Sequence, residues 1–110
     1  MSKITMLNEY QIRAIDTAMY PEDMAMPYLG LGLTGEAGEV ANKIKKMIRD
    51  GVSMEDASEA IQDEMGDVLW YLALLCLETG TTLQDVANRN IEKLAARTAA
   101  GTIGGSGDTR

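Results

Sequence analysis

Residues 68–77 read Val-Leu-Trp-Tyr-Leu-Ala-Leu-Leu-Cys-Leu, ten positions without a charge or an amide. Wound into a helix, such a run is apolar on every face, and a helix of that kind must be surrounded. It is far too short to cross a bilayer, so it has to be core. Three partner helices in a chain of 110 residues can scarcely cover it, so a second subunit is expected to complete the burial. The apolar content comes from Leu, Ile, Ala and eight Met, with no Phe, which favours helices over strands. The expectation is an all-α helical bundle of about four to five helices whose core is completed by oligomerisation.

The remaining elements follow from periodicity and punctuation. Leu7, Tyr10, Ala14, Ile15 and Ala18 predict a first helix over 7–19, ended by Pro21. Residues 20–27 read as a turn. A second helix is expected over 28–49, with Leu29, Leu33, Val40, Ile44 and Met47 as its apolar stripe and Gly51 just past its end. Residues 53–56 read as a loop or short turn before a third helix over 57–78. Thr82 is a good N-cap for a fourth, which Leu83, Val86, Ala87, Ile91 and Leu94 carry to about 97. The expected division is one domain over 1–97 and a Gly-rich tail over 98–110, either flexible or closing over a substrate. The tail has no P-loop pattern, and Arg110 within it is a candidate phosphate contact.

Four carboxylates stand out against this frame. Glu36 with Glu39, and Glu64 with Asp67, form two i, i+3 pairs, each projecting from one helix face. A single pair of this kind is commonly a solvated surface, and Glu39 could simply pair with Lys43. However, Glu64 and Asp67 lead directly into the all-apolar run, at the edge of the core. Gly35, Gly38 and Gly66 accompany the pairs inside predicted helices, where each costs about 1 kcal/mol relative to Ala. Glycine so placed suggests a close approach of helix to helix or helix to ligand.

Bringing the two faces together would gather four negative charges, for which a divalent cation is the simplest compensation. The chain has no histidine and a single cysteine, Cys76, so zinc and di-iron ligand sets are not available. An all-carboxylate set suits hard cations, chiefly Mg2+ with Mn2+ as a substitute, and points to metal-assisted phosphoryl or pyrophosphoryl hydrolysis. Lys43 and Lys46 fall within about 40° of the Glu36/Glu39 direction. Asn90, Lys93 and Arg97 share one side of the fourth helix, as phosphate or ribose contacts or as a plain solvated face. Tyr71 and Trp70 could each stack on a base, Trp70 being the better candidate for a core or interface aromatic. Asn8 and Gln11 could read a base edge or simply face water.

A formal net charge of −7 without a basic stripe excludes nucleic acid as a partner class. A lone cysteine and the absence of a signal-peptide core point to a cytoplasmic protein with no membrane association, in the host cytoplasm if phage-encoded.

The strings GEAGEVANKIKK, DEMGDVLWYLALL and NIEKLAAR together resemble the MazG-like nucleoside triphosphate pyrophosphohydrolases, of the all-α NTP pyrophosphatase superfamily. Its hallmark is E-x-x-E, a variable spacer, then E-x-x-D; here 24 residues separate Glu39 from Glu64. The resemblance covers roughly residues 28–97. It implies a homo-oligomer, dimer or tetramer, with Mg2+ held by Glu36, Glu39, Glu64 and Asp67. It also implies cleavage of (deoxy)nucleoside triphosphates between the α and β phosphates, with Glu36 or Glu39 orienting or deprotonating the water. Lys46, Asn90, Lys93 and Arg97 match positions that resemble the family's substrate contacts. A base-specific dUTP or dCTP pyrophosphatase, a phosphoribosyl-ATP pyrophosphohydrolase, and a non-catalytic metal-binding helical oligomer stand as alternatives.

Overall fold

Two long helices, joined by only three residues, set the architecture. The computed structural model describes residues 2–108. Helix α1 spans Leu7–Asp16, α2 Ala25–Asp50, α3 Met54–Glu78 and α4 Leu83–Ala100, with a 3-10 turn at Glu22–Met24 before α2. No strand occurs among the described residues, so the chain is all-α. The α2–α3 hairpin is the largest packing unit; α1 lies on α3, and α4 packs on α1 and α3 but not on α2.

Capping explains where the helices stop. Gly51 adopts φ +67°, and Val52 N–H reaches back to the Met47 carbonyl at 3.0 Å, closing α2 with a left-handed turn. Gly101 ends α4 in the same way, with Thr102 N–H on the Arg97 carbonyl at 2.8 Å. Thr82 caps α4 as expected, its hydroxyl accepting from Asp85 N–H at 3.1 Å. Several expected boundaries shift. Residues 54–56 are helical rather than loop because Ser53 acts as an N-cap, accepting from Asp56 N–H at 3.2 Å. Pro27 lies inside α2, in its first turn, where a missing N–H costs nothing. Helix α1 ends at Asp16, short of 19, and α4 continues past 97 to Ala100.

The core joins α1, α2, α3 and the start of α4 through Ala14, Leu29, Ala73, Leu74, Cys76 and Leu83. Gln11 is sealed inside it at 5% exposure. Its Nε2 donates to the carbonyls of Ala73 and Thr81, both at 3.3 Å, and its Oε1 accepts from Leu83 N–H at 2.9 Å. One side chain from α1 thus satisfies the α3–α4 turn and an otherwise orphaned N–H of α4. Gln11 therefore neither reads a base nor faces water.

The apolar run is covered on one side only. Ala73, Leu74 and Cys76 are buried, whereas Leu72 and Leu77 are 39% and 43% exposed. The radius of gyration is 16.7 Å, against about 13 Å for a compact domain of this length. The accessible surface is 7871 Å², against roughly 6,000 Å² from the scaling for folded monomers.

Replacing Gln11 by Leu removes three hydrogen bonds and strands a buried N–H. The expected loss is about 1–3 kcal/mol, read from urea unfolding as a lower midpoint with an unchanged slope.

Candidate functional site

The hairpin register brings the acidic faces together. Glu36 on α2 meets Glu64 and Asp67 on α3, one oxygen from each lying within 4.8 Å of the others. Numbers that rise along one helix fall along the other, and one turn further Gly32 faces Tyr71. Any Cβ at Gly32 would fall on the Tyr71 ring, so glycine is what allows this ring into the seam. Gly35, Gly38 and Gly66 have nothing within 4 Å of an added Cβ, so within the chain they mark no close approach. The close approach is at Gly32, which sequence reasoning missed although it lies at i−4 from Glu36, on the same helix face.

Glu39 is exposed and is not one of the converging three, although its charge reaches Glu36. The Glu36 carboxyl is held above its ordinary pKa, first by partial desolvation, then by a hydrogen bond with Glu64 and by the charges of Asp67, Glu64 and Glu39. A divalent cation would relieve this repulsion. The donor set is all oxygen, which fits a hard ion such as Mg2+ or Mn2+.

A cleft of about 320 Å³ opens beside the trio, lined by Thr17, Glu36, Asp67, Trp70 and Tyr71. The Tyr71 hydroxyl is held above its ordinary pKa by partial burial, by Tyr28, and by the charges of Glu36 and Asp67. At neutral pH it is therefore a hydrogen-bond donor. Trp70 sits edge-on to Tyr71, with ring centroids 5.0 Å apart at 83°, and its Nε1 donates to Thr17 Oγ1 at 2.8 Å. Thr17, the residue that ends α1, carried no signal in the sequence.

The candidate cations lie elsewhere in the chain. Lys43 and Lys46 line a small depression nearer the hairpin tip, with Asp50 and Ala57. Asn90 and Lys93 line an open cleft of about 370 Å³ on α4 with Val86 and Arg89. Arg97 is 6% exposed; it donates to the Gly107 carbonyl at 3.2 Å and to Asp108 at 2.9 Å. Asp108 also receives Lys93 at 2.9 Å, and the two cations hold its carboxyl below the usual range, Lys93 most strongly. The tail thus folds back along α4. Arg110 lies outside the described residues.

Residues 27–101 match the family model for the MazG nucleotide pyrophosphohydrolase domain. The chain is 45% identical over 109 residues to the Gene 37 protein of Mycobacterium phage L5, covering 92% of this chain and 96% of that protein. It is 35% identical over 79 residues to "Uncharacterized protein YvdC" of Bacillus subtilis (strain 168), covering 64% of this chain and 74% of that one. No solved structure matches it. No helix among the described residues is long and apolar enough to cross a membrane.

The raised Glu36 pKa fixes a sign. Between the ordinary value of 4.5 and the raised one, the folded chain binds more protons than the unfolded chain, so metal-free stability falls as pH rises through that window. Glu36→Gln should flatten this slope and melt at least as high as the parent at neutral pH. It should also lose most of the melting-temperature rise that the parent shows with millimolar Mg2+. Scanning calorimetry against pH, with and without the ion, reads all three effects.

Proposed function

The chain belongs to the MazG nucleotide pyrophosphohydrolase family, and from that premise we propose that it hydrolyses (deoxy)nucleoside triphosphates between the α and β phosphates. The products are a nucleoside monophosphate and pyrophosphate, and the ion required is Mg2+, replaceable by Mn2+. The observation that carries this reading is the convergence of Glu36, Glu64 and Asp67 beside an open cleft.

Glu36, Glu64 and Asp67 would hold the cation. Once bound, a divalent ion offsets the triphosphate charge and stabilises the departing pyrophosphate. Glu39, exposed and one turn from Glu36, is the carboxylate best able to orient an attacking water and take its proton. The Tyr71 hydroxyl would donate a hydrogen bond to a phosphate oxygen, consistent with a phenol held protonated.

In this reading Lys93 and Arg97, released from Asp108, supply the cationic side and Asn90 a neutral polar contact, with Lys43, Lys46 and Arg110 as further contacts. Because α4 does not pack on α2 within one chain, association of a second copy is the simplest way to bring α4 against the trio. An oligomer is supported independently by the apolar groove of Ala37, Val40, Met65, Val68, Leu69 and Leu72, which lies uncovered between α2 and α3. The accessible surface beyond the monomer scaling is of the size that obligate interfaces bury. The reading places the reaction in the cytoplasm, that of the host if the gene is carried by a phage, as the relative in Mycobacterium phage L5 suggests.

Pyrophosphate release from a nucleotide panel tests the activity. Turnover should require Mg2+ or Mn2+, and Glu39→Gln should lower kcat by about 10²-fold or more with the particle size unchanged. Turnover by Glu39→Gln at the parental rate contradicts the assignment. Leu72→Glu should give a smaller particle by sedimentation if the groove is an interface.

A further inference from the structure

A cleft wider than the carboxylate cleft lies beside it. About 540 Å³ in volume, it is walled by Ile4, Tyr10, Arg13, Ala14, Thr17 and Trp70, with Ser2 and Lys3 at its rim. This falls within the usual range for small-molecule sites, roughly 300–1,000 Å³. Thr17 and Trp70 line both clefts, so a ligand of nucleotide length can lie in the two together. Tyr10 also connects them: it lines the wide cleft, and the charge of Asp67 acts on its hydroxyl.

We propose that this second cleft is a nucleobase subsite, in which the base stacks against the Trp70 indole and the Arg13–Ser2 clasp forms the outer wall. The proposal rests on the reading of Glu36, Glu64 and Asp67 as the triphosphate end of the site.

The walls are built to keep their shape. Thr17 is committed twice, its hydroxyl donating to the Ala14 carbonyl at 2.7 Å while accepting from Trp70 Nε1 at 2.8 Å. With Tyr71 edge-on at the other side, the indole plane is fixed. The segment before α1 is irregular and is tied down by Arg13, whose two terminal nitrogens donate to the Ser2 carbonyl at 2.7 Å and to Ser2 Oγ at 2.9 Å. A second tie runs from Thr5 N–H to Glu9 at 3.1 Å. Arg13 thus acts on the cleft as a positioning residue.

The lining also indicates which bases are accepted. It contains no carboxylate and no amide, the groups that pair with cytosine and adenine edges, and its one guanidinium, which could pair with guanine, is committed to Ser2. Recognition is left to stacking, which tolerates any base because every base has a π-face. Purine and pyrimidine triphosphates should therefore have KM values within about tenfold of one another.

Trp70 is the chain's single tryptophan, so emission from the full-length protein reports on this wall directly. Titration with AMP or dTMP in the presence of Mg2+ should quench it saturably, while ribose 5-phosphate, which has no base, should not. Arg13→Ala should weaken nucleotide binding by about tenfold and leave inorganic pyrophosphate affinity, measured by calorimetry, unchanged. Should Arg13→Ala lose its helical circular dichroism, Trp70→Phe, which keeps a stacking ring, should bind AMP more tightly than Trp70→Ala. Equal quenching by the baseless sugar phosphate, or nucleotide binding by calorimetry with Trp70 emission unmoved, overturns the subsite. Quenching without pyrophosphate release from any triphosphate keeps the subsite and removes the hydrolase reading. Pyrophosphate release with a silent Trp70 does the reverse.

Discussion

Repulsion between carboxylates on facing helices is the constraint from which the rest of this molecule follows. The α2–α3 hairpin sets Glu36 against Glu64 and Asp67, and nothing basic lies among the groups shown to act on Glu36. Like charges on an exposed helix cost only a few tenths of a kcal/mol per pair, but the cost grows as water is excluded. The chain accepts that cost. A fold stabilised for its own sake would place a lysine there. Leaving the charge uncompensated keeps the position ready for an external cation.

The same hairpin carries the molecule's other unresolved demand. Its seam is narrow near the site because Gly32 admits the Tyr71 ring, and its opposite flank is apolar and bare. Among the described residues only Leu29 and Leu74 are fully buried larger side chains, little for a chain of this length. Charge on one edge and exposed Leu, Val and Met on the other are the two surfaces that the proposed ion and the proposed second copy would cover.

Much of this was legible in the sequence because it depends on period and local chemistry. The all-apolar run over 68–77 identified the central helix, and i, i+3 spacing singled out Glu36, Glu64 and Asp67, although Glu39, grouped with them, does not join the other three. Thr82 and Gly51 marked their caps correctly. What escaped depended on partners distant in the chain. Gln11 reads as a polar residue on a surface helix until the α3–α4 turn is folded against it. Thr17 matters only because Trp70, on another helix, donates to its hydroxyl. Gly32 looks like its neighbours Gly30 and Gly35 until Tyr71 is placed opposite. The loop-like look of residues 53–56 hid the Ser53 cap and with it the first turn of α3, and Pro27 masked the first turn of α2.

The claim at the centre is that two helices of one chain build a cation site from Glu36, Glu64 and Asp67. Crystals grown with Mn2+ and imaged at the manganese absorption edge test it most directly. The account predicts an anomalous peak bonded to oxygens from all three side chains, and its loss in Glu36→Gln crystals grown the same way. A peak held by other residues, or none at these three under saturating Mn2+, contradicts it.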